Sequence, residues 1–348
     1  MAEPVHQTAP GALRISFLAG IENDPYSMHR GLDLFTAADL FGYDAGYVRV
    51  RHLQPTISSP LTFLAAASQR TERIELGTGV IPLWFEKPAR LAEDLATLDV
   101  LSNGRVRAGL SSGYSAKVAP YLGAYGASKE SPRDRVDRIL AELLRFVDGE
   151  IVANADHHVE DIEAGTALRI QPQSPGLRSR LAYGAASVER ARWVGERGLG
   201  LQLATLAPDD GTGRTFEELQ LEALRAYREA SRDAGFGDGT VAVSRQAIPV
   251  ASERELEMFQ TLIPRERGAA AGVISEHRAK EIGGGSAVFS RVVLDSPDVV
   301  SEVLSADAVL READELMLVL PFAGGPAEHQ RVLELFAEEV VPALAPAS

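Results

Sequence analysis

The chain has 348 residues, 45% of them hydrophobic and 24% charged, with a formal charge of −14 and no cysteine. Such a composition supports a sizeable globular core, while the acidic balance argues against nucleic acid or an anionic membrane as partner, because both need basic surface. The lack of cysteine excludes disulfides, thiolate nucleophiles and cysteine-held metals, and no stretch approaches the roughly 18 apolar residues of a membrane span, so a soluble, cytoplasmic protein is expected.

Residues 1–12 carry no apolar signal core and read as a disordered tail before one domain, 13–348. From there apolar runs alternate with amphipathic stretches. Strands are expected at Leu13–Ala19, Gly46–Val50, Ile74–Val80, Val106–Leu110, Arg180–Tyr183, Leu201–Ala204, Val241–Pro249 and Glu315–Leu320. Helices are expected at Met28–Phe41, Pro60–Arg70, Pro88–Leu101, Pro132–Val147, Val188–Arg197, Thr215–Ala234, Pro297–Leu304 and Ala327–Ala343. Pro88 and Pro132 mark first helical turns, and Ser131 precedes the second as an N-cap. Eight strand–helix pairs without a composition break favour a single α/β (β/α)8 barrel. An open doubly wound sheet has the same periodicity. Two segments break the alternation: a polar loop with one short hairpin, Asp148–Gln173, and a long insertion between strands seven and eight, 251–290. The insertion holds Arg265, Arg267, Arg278, Lys280 and the flexible Gly283–Gly285, and reads as a mobile lid over an anionic ligand or as a solvated loop.

Ligands of such barrels bind at the carboxyl ends of the strands. His52 lies just past strand two, where an imidazole can give or take a proton at neutral pH; an ordinary hydrogen-bonded loop histidine reads the same way. Strand three ends in Gly77-Thr78-Gly79, backbone open enough for a flat ligand. Strand four ends in Ser111 and Ser112, small hydroxyl residues that leave room for a ring or a phosphate. After strand five, Gly184-Ala185-Ala186-Ser187 opens a helix whose amino end suits an anion. Arg190 stands where a capping box would carry Glu or Gln, and Arg133 lies in the first turn of the Pro132 helix, so both are candidate cations. Asp156–Asp161 contains two histidines and several carboxylates, but adjacent residues of an extended chain point to opposite sides, so no metal site is expected. No phosphate loop, serine-hydrolase elbow or zincin motif occurs.

GYDAGYVRVRHL (42–53), SSPLTFLAAASQRTERIELGTGVIPL (58–83), KPARLAEDLATLDVLSNGRVRAGLSSG (87–113) and, more weakly, DELMLVLPF (314–322) resemble the bacterial-luciferase-like flavin-dependent oxidoreductases. The similarity runs from about Arg14 to Leu344. It implies an (α/β)8 barrel that binds FMN, usually reduced, or a deazaflavin. Many such proteins use reduced FMN and O2 to oxidise a small organic substrate; others transfer hydride. His52 matches the catalytic histidine ending strand two, and Arg51 stands where luciferases proper carry a second histidine. Thr78, Gly79 and Val80 match the segment behind the flavin ring, implying a cis peptide between Gly79 and Val80. Ser111 matches the position beside the reacting flavin carbon, and Ser112 one that often carries a phosphate-binding arginine. Arg133, Ser187 and Arg190 match phosphate contacts. The resemblance further implies a homodimer through the helices after strands two and three. The expectation is therefore an FMNH2-dependent monooxygenase served by a separate flavin reductase. The alternatives are a deazaflavin-dependent hydride-transfer enzyme and a non-catalytic flavin-binding or partner-subunit protein.

Overall fold

Eight parallel strands close into a ring: Arg14–Ala19, Ala45–Val48, Glu75–Pro82, Val106–Ser111, Ala182–Gly184, Gly200–Leu203, Val241–Pro249 and Glu315–Val319. Each pairs with its successor, and strand eight returns to strand one with Glu315 opposite Arg14. The expected barrel is therefore the fold, and the open-sheet alternative falls. The structure, a computed structural model, describes residues 12–113, 119–126, 128–158, 160–263, 272–274, 276–280 and 286–344. Apart from Ala12, the expected tail lies outside them, as do Arg265, Arg267 and Gly283–Gly285 of the insertion.

Several strands begin on a carboxylate that accepts a strand amide. Asp44 takes the Ile15 N–H at 2.7 Å, Asp39 that of Ile74 at 2.9 Å, Asp99 that of Val106 at 3.1 Å and Asp314 that of Val241 at 2.7 Å. Each satisfies a buried or half-buried donor and fixes where pairing starts. The surrounding helices are Pro25–Phe41, Pro60–Ser68, Pro88–Leu101, Pro132–Val147, Val188–Gly195, Phe216–Asp233, Pro297–Ala306 and Pro326–Leu335. Six of these eight open on proline, whose missing N–H costs nothing in a first turn. Ser131 caps as expected, accepting the Asp134 N–H at 3.1 Å. The first helix starts three residues before the expected Met28, because Asp24 accepts the Ser27 N–H and Pro25 follows it. Strand two ends at Val48 rather than Val50, and the last helix passes through a π turn, Phe336–Val340, before Val341–Leu344.

The described part of the insertion carries regular structure that the sequence reading did not place. It contains a helix, Glu253–Leu262, and the strands Gly272–Ile274, His277–Lys280 and Ser286–Phe289. Ser286–Phe289 lies antiparallel both to His277–Lys280 and to Leu206–Pro208, which follows strand six. Val292–Asp295 extends the end of strand seven in parallel. These strands are too short for their alternation to register in sequence. Arg278, one of the expected lid cations, is paired with Asp209 at 2.8 Å.

The barrel interior is filled from its amino end. Arg107 bonds Glu75 at 3.0 Å, Arg14 bonds the same carboxylate, and Ser16 donates to Glu315 at 2.6 Å. Above this charged floor lie Leu18, Ala45, Tyr47, Ala242, Met317 and Val319, packed on one another. A Cβ on Gly77 would stand 2.2 Å from the Tyr47 ring, so this glycine makes room for a side chain of the protein itself rather than for a ligand. A cavity of about 250 Å³ remains at the amino end, lined by Arg14, Tyr47, Arg107 and Glu315 among others; the candidate site residues lie at the opposite, carboxyl rim.

Outside the ring, Arg245 of strand seven forms a buried ion pair with Asp307 at 2.7 Å and donates to Gln220 at 2.9 Å, while Gln220 donates to the Ala204 carbonyl at the end of strand six. Both members of the pair are about 5% exposed. Arg245→Met leaves Asp307 buried without its cation, so the expected cost is about 3–5 kcal/mol in urea unfolding. A loss below 1 kcal/mol would show that the pair carries little of the fold.

Candidate active site

At the carboxyl ends of strands three to six, small residues come back into solvent contact. Gly79, Val80, Ser111 and Gly184 are half-buried, and Ser112 and Ala204 are exposed. The expected cis peptide between Gly79 and Val80 is present, and the pairing of strands three and four shifts register between Thr78 and Ile81. Thr78 itself does not reach the rim: it is 1% exposed, and its hydroxyl donates to the Gly109 carbonyl at 2.8 Å. It braces strand three on strand four. A Cβ on Gly79 would meet the Leu18 side chain at 2.7 Å, so Leu18 forms the bottom of the rim at this point. Ser111 accepts the Gly113 N–H at 3.2 Å, which folds the turn beside it.

Strand five leads into the Val188–Gly195 helix, where Ser187 is the N-cap and accepts the Arg190 N–H at 3.2 Å. The Arg190 guanidinium lies 3.4 Å from the Trp193 ring centroid and 5.0 Å from that of Tyr183. One of its terminal nitrogens bonds Asp137 at 2.7 Å and the Tyr183 hydroxyl at 3.0 Å. The other, Nη1, is buried and has no hydrogen-bond partner. A buried N–H left unmade is costly, and at a helix amino end an anionic oxygen is the partner that would relieve it. Arg133 is 60% exposed and pairs with Glu189 at 2.8 Å. Arg133, Ser187 and Arg190 are thus brought to one place, but the two cations arrive with the carboxylates Glu189 and Asp137. Those carboxylates escaped the sequence reading, although Asp137 sits one helical turn beyond Arg133.

His52 is enclosed. It is 6% exposed, with the Phe85 ring 4.9 Å and the Tyr125 ring 5.1 Å from its own. The Tyr121 hydroxyl donates to the His52 carbonyl at 3.2 Å. Burial holds the imidazole below its ordinary value, so it is neutral at pH 7. Arg51 is half-buried beside it, its N–H donating to Ile57 at 3.2 Å. Inward-facing Ala45 and Tyr47 put Arg49 on the barrel side of strand two, where its guanidinium lies 4.2 Å from the ring centroid of Phe322, at the end of strand eight. This wall of the rim was missed, although the alternation Ala45, Tyr47, Arg49 signals it. The Asp156–Asp161 run is a surface feature next to the hairpin of Ala153–Asn154 with Ala167–Leu168. No helix among the described residues is long and apolar enough to cross a membrane.

The sequence profile of the family described as luciferase-like monooxygenase matches residues 13–282. Limonene 1,2-monooxygenase of Rhodococcus erythropolis is 30% identical over 184 residues, covering 49% of this chain and 47% of that protein, so the chain matches about half the length of this relative. An F420-dependent glucose-6-phosphate dehydrogenase of Amycolatopsis mediterranei is 43% identical over 304 residues, covering 82% of this chain and 83% of that protein. Among solved structures, the oxygenating constituent of 3,6-diketocamphane monooxygenase from Pseudomonas putida, in complex with FMN, superposes with a TM-score of 0.68 at 18% identity, covering 95% of this chain and 98% of that one. At that identity the likeness is one of fold.

Next to the His52 enclosure, Glu86 ends the turn after strand three, and burial, assisted by Asp94, raises its carboxyl to about 7. A carboxyl raised in the folded state favours folding while protonated, so stability falls as pH climbs from its ordinary 4.5 to 7. Glu86→Gln should therefore gain up to about 3 kcal/mol at pH 8 and nothing at pH 4, read by urea unfolding at both. Equal gains at the two pH values would show that the carboxyl is not desolvated.

Proposed function

The chain belongs to the luciferase-like monooxygenase family, and on that premise we propose that it is an FMNH2-dependent monooxygenase acting with O2 on a small organic substrate. The observation that carries this reading is the buried, unpartnered Arg190 Nη1 at a capped helix amino end, one strand away from a rim of small residues. That combination fits a planar ring bearing a phosphate tail. Bound there, reduced FMN supplies the electrons with which oxygen oxidises the substrate; the protein supplies position and electrostatics.

In this reading the backbone of Gly79 and Val80 backs the ring, and Ser111 and Ser112 border it. Ser187, Arg190 and Arg133 hold the phosphate. The enclosed, neutral His52 takes a proton from the substrate or gives its N–H as a hydrogen bond, and Arg51 orients a polar group of the substrate. The described strands of the insertion, His277–Lys280 and Ser286–Phe289, paired with Leu206–Pro208 after strand six, cover the rim and limit water. Reduced flavin comes from a separate reductase, and the protein works as a cytoplasmic homodimer through the Pro60–Ser68 and Pro88–Leu101 helices. The half-exposed Val100 and Leu101 support that interface. The A. mediterranei relative favours a second reading, a deazaflavin-dependent hydride transfer on the same rim.

Anaerobic titration with FMN, reduced FMN and deazaflavin separates the two readings. A tenfold preference corresponds to about 1.4 kcal/mol, and oxygen uptake with substrate should occur only in the first. Wild-type protein should bind FMN more tightly than riboflavin, and Arg190→Ala should narrow that gap by about tenfold, because a charge-assisted bond to the phosphate is lost. An unchanged gap would remove Arg190 from the phosphate site. His52→Gln should lower turnover about 100-fold or more without loss of FMN binding; unchanged turnover would end its proton role.

A further inference from the structure

The helix Ala119–Tyr125 does more than follow strand four. Tyr121, 9% exposed, fixes it to the chain at His52 through the hydroxyl-to-carbonyl bond of 3.2 Å. One turn later, Tyr125 is 37% exposed, and its ring lies 5.1 Å from that of His52. Phe85 completes the enclosure, 4.7 Å from Tyr125 and 5.4 Å from Tyr121 by ring centroids. The imidazole therefore meets two aromatic rings, Phe85 and Tyr125, and Tyr125 is the more exposed of the two. Residues with i, i+4 spacing share a helix face, so the Tyr121 anchor and the Tyr125 cover move together.

We propose that Tyr125 is a positioning residue: its ring, held in place by the Tyr121 anchor, keeps water off His52 and so sets the conditions for the proton step open to this histidine. The proposal deepens the reading in which His52 moves a proton, and rests on it for its catalytic meaning. A neutral ring accepts a proton at one nitrogen and offers a hydrogen bond from the other, and it brings no fixed positive charge to the rim. Among the described residues, the titratable groups around it are Tyr121 and Tyr125 on the helix, Glu86 next to Phe85 and Arg51 next to it in the chain, with Asp94 and Arg90 farther out on the Pro88–Leu101 helix. The Glu86 charge acts on Tyr125, whose hydroxyl burial and Glu86 push upward.

The test uses the full-length protein with 13C-labelled histidine. The chain has seven histidines, so the His52 signal is assigned by its loss in His52→Gln. Titration by NMR should show Tyr125→Ala moving the His52 pKa up toward the ordinary histidine value, with Tyr125→Phe leaving it in place because the ring stays. Tyr121→Phe, which removes the anchor but keeps both rings, should move it in the same direction by less. Glu86→Gln, run alongside, separates the shielding from the carboxylate: the Tyr125→Ala shift should persist in that background. If Tyr125→Ala folds with wild-type circular dichroism and His52 titrates unchanged, the proposal is overturned; if that variant fails to fold, an unchanged His52 titration in Tyr121→Phe overturns it instead. Should the NMR titration move while the acid limb of the pH–rate profile stays put, the shielding stands and the proton role of His52 falls.

Discussion

Tyr47 lying across Gly77 is the contact on which the rest depends. A ring of eight strands encloses a space that must be filled, and here strand two fills it by leaning over a position on strand three that carries no side chain. Beneath that contact the guanidiniums of Arg14 and Arg107 share the Glu75 carboxylate. A larger residue at position 77 would displace the tyrosine and with it the Glu315 carboxylate to which the Tyr47 hydroxyl bonds. The packed middle and the charged floor set the carboxyl rim apart, and the candidate functional residues are those that strands two to five deliver there.

The charge balance at that rim is more restrained than a phosphate site built from arginine alone. Arg133 and Arg190 each face a carboxylate, so the helix amino end offers a nearly neutral surface to bulk solvent. An uncharged or weakly charged surface does not attract every passing anion. In the proposed reading, a ligand that also occupies the ring platform would bring its phosphate to the buried, unpaired Arg190 Nη1, and selectivity would come from the joint fit of ring and tail rather than from field strength. His52 in its aromatic enclosure is likewise a shielded polar group, 6% exposed between rings.

Much of this was legible in the chain. The barrel followed from eight alternating pairs, and the Gly79–Val80 cis bond and the capped helix at Ser187 followed from the resemblance and from the Gly-Ala-Ala-Ser turn. The partners of the two arginines were not legible: Arg133 meets Glu189 across 56 residues and Arg190 meets Asp137 across 53. A single sequence records no such pairings. The bond of the Thr78 hydroxyl to the Gly109 carbonyl was not legible either, because it joins neighbouring strands 31 residues apart. The insertion reads in sequence as a lid or a solvated loop, without strands, because its described strands are three or four residues long, below the length at which alternation can be told from chance.

The small sheet that joins Leu206–Pro208 to Ser286–Phe289 ties together loops from two different strand ends. Neither loop can shift alone without breaking backbone hydrogen bonds, so any movement over the mouth carries both. Changes of substrate range in this lineage then have to be negotiated between the two loops, as paired substitutions on either side of that seam.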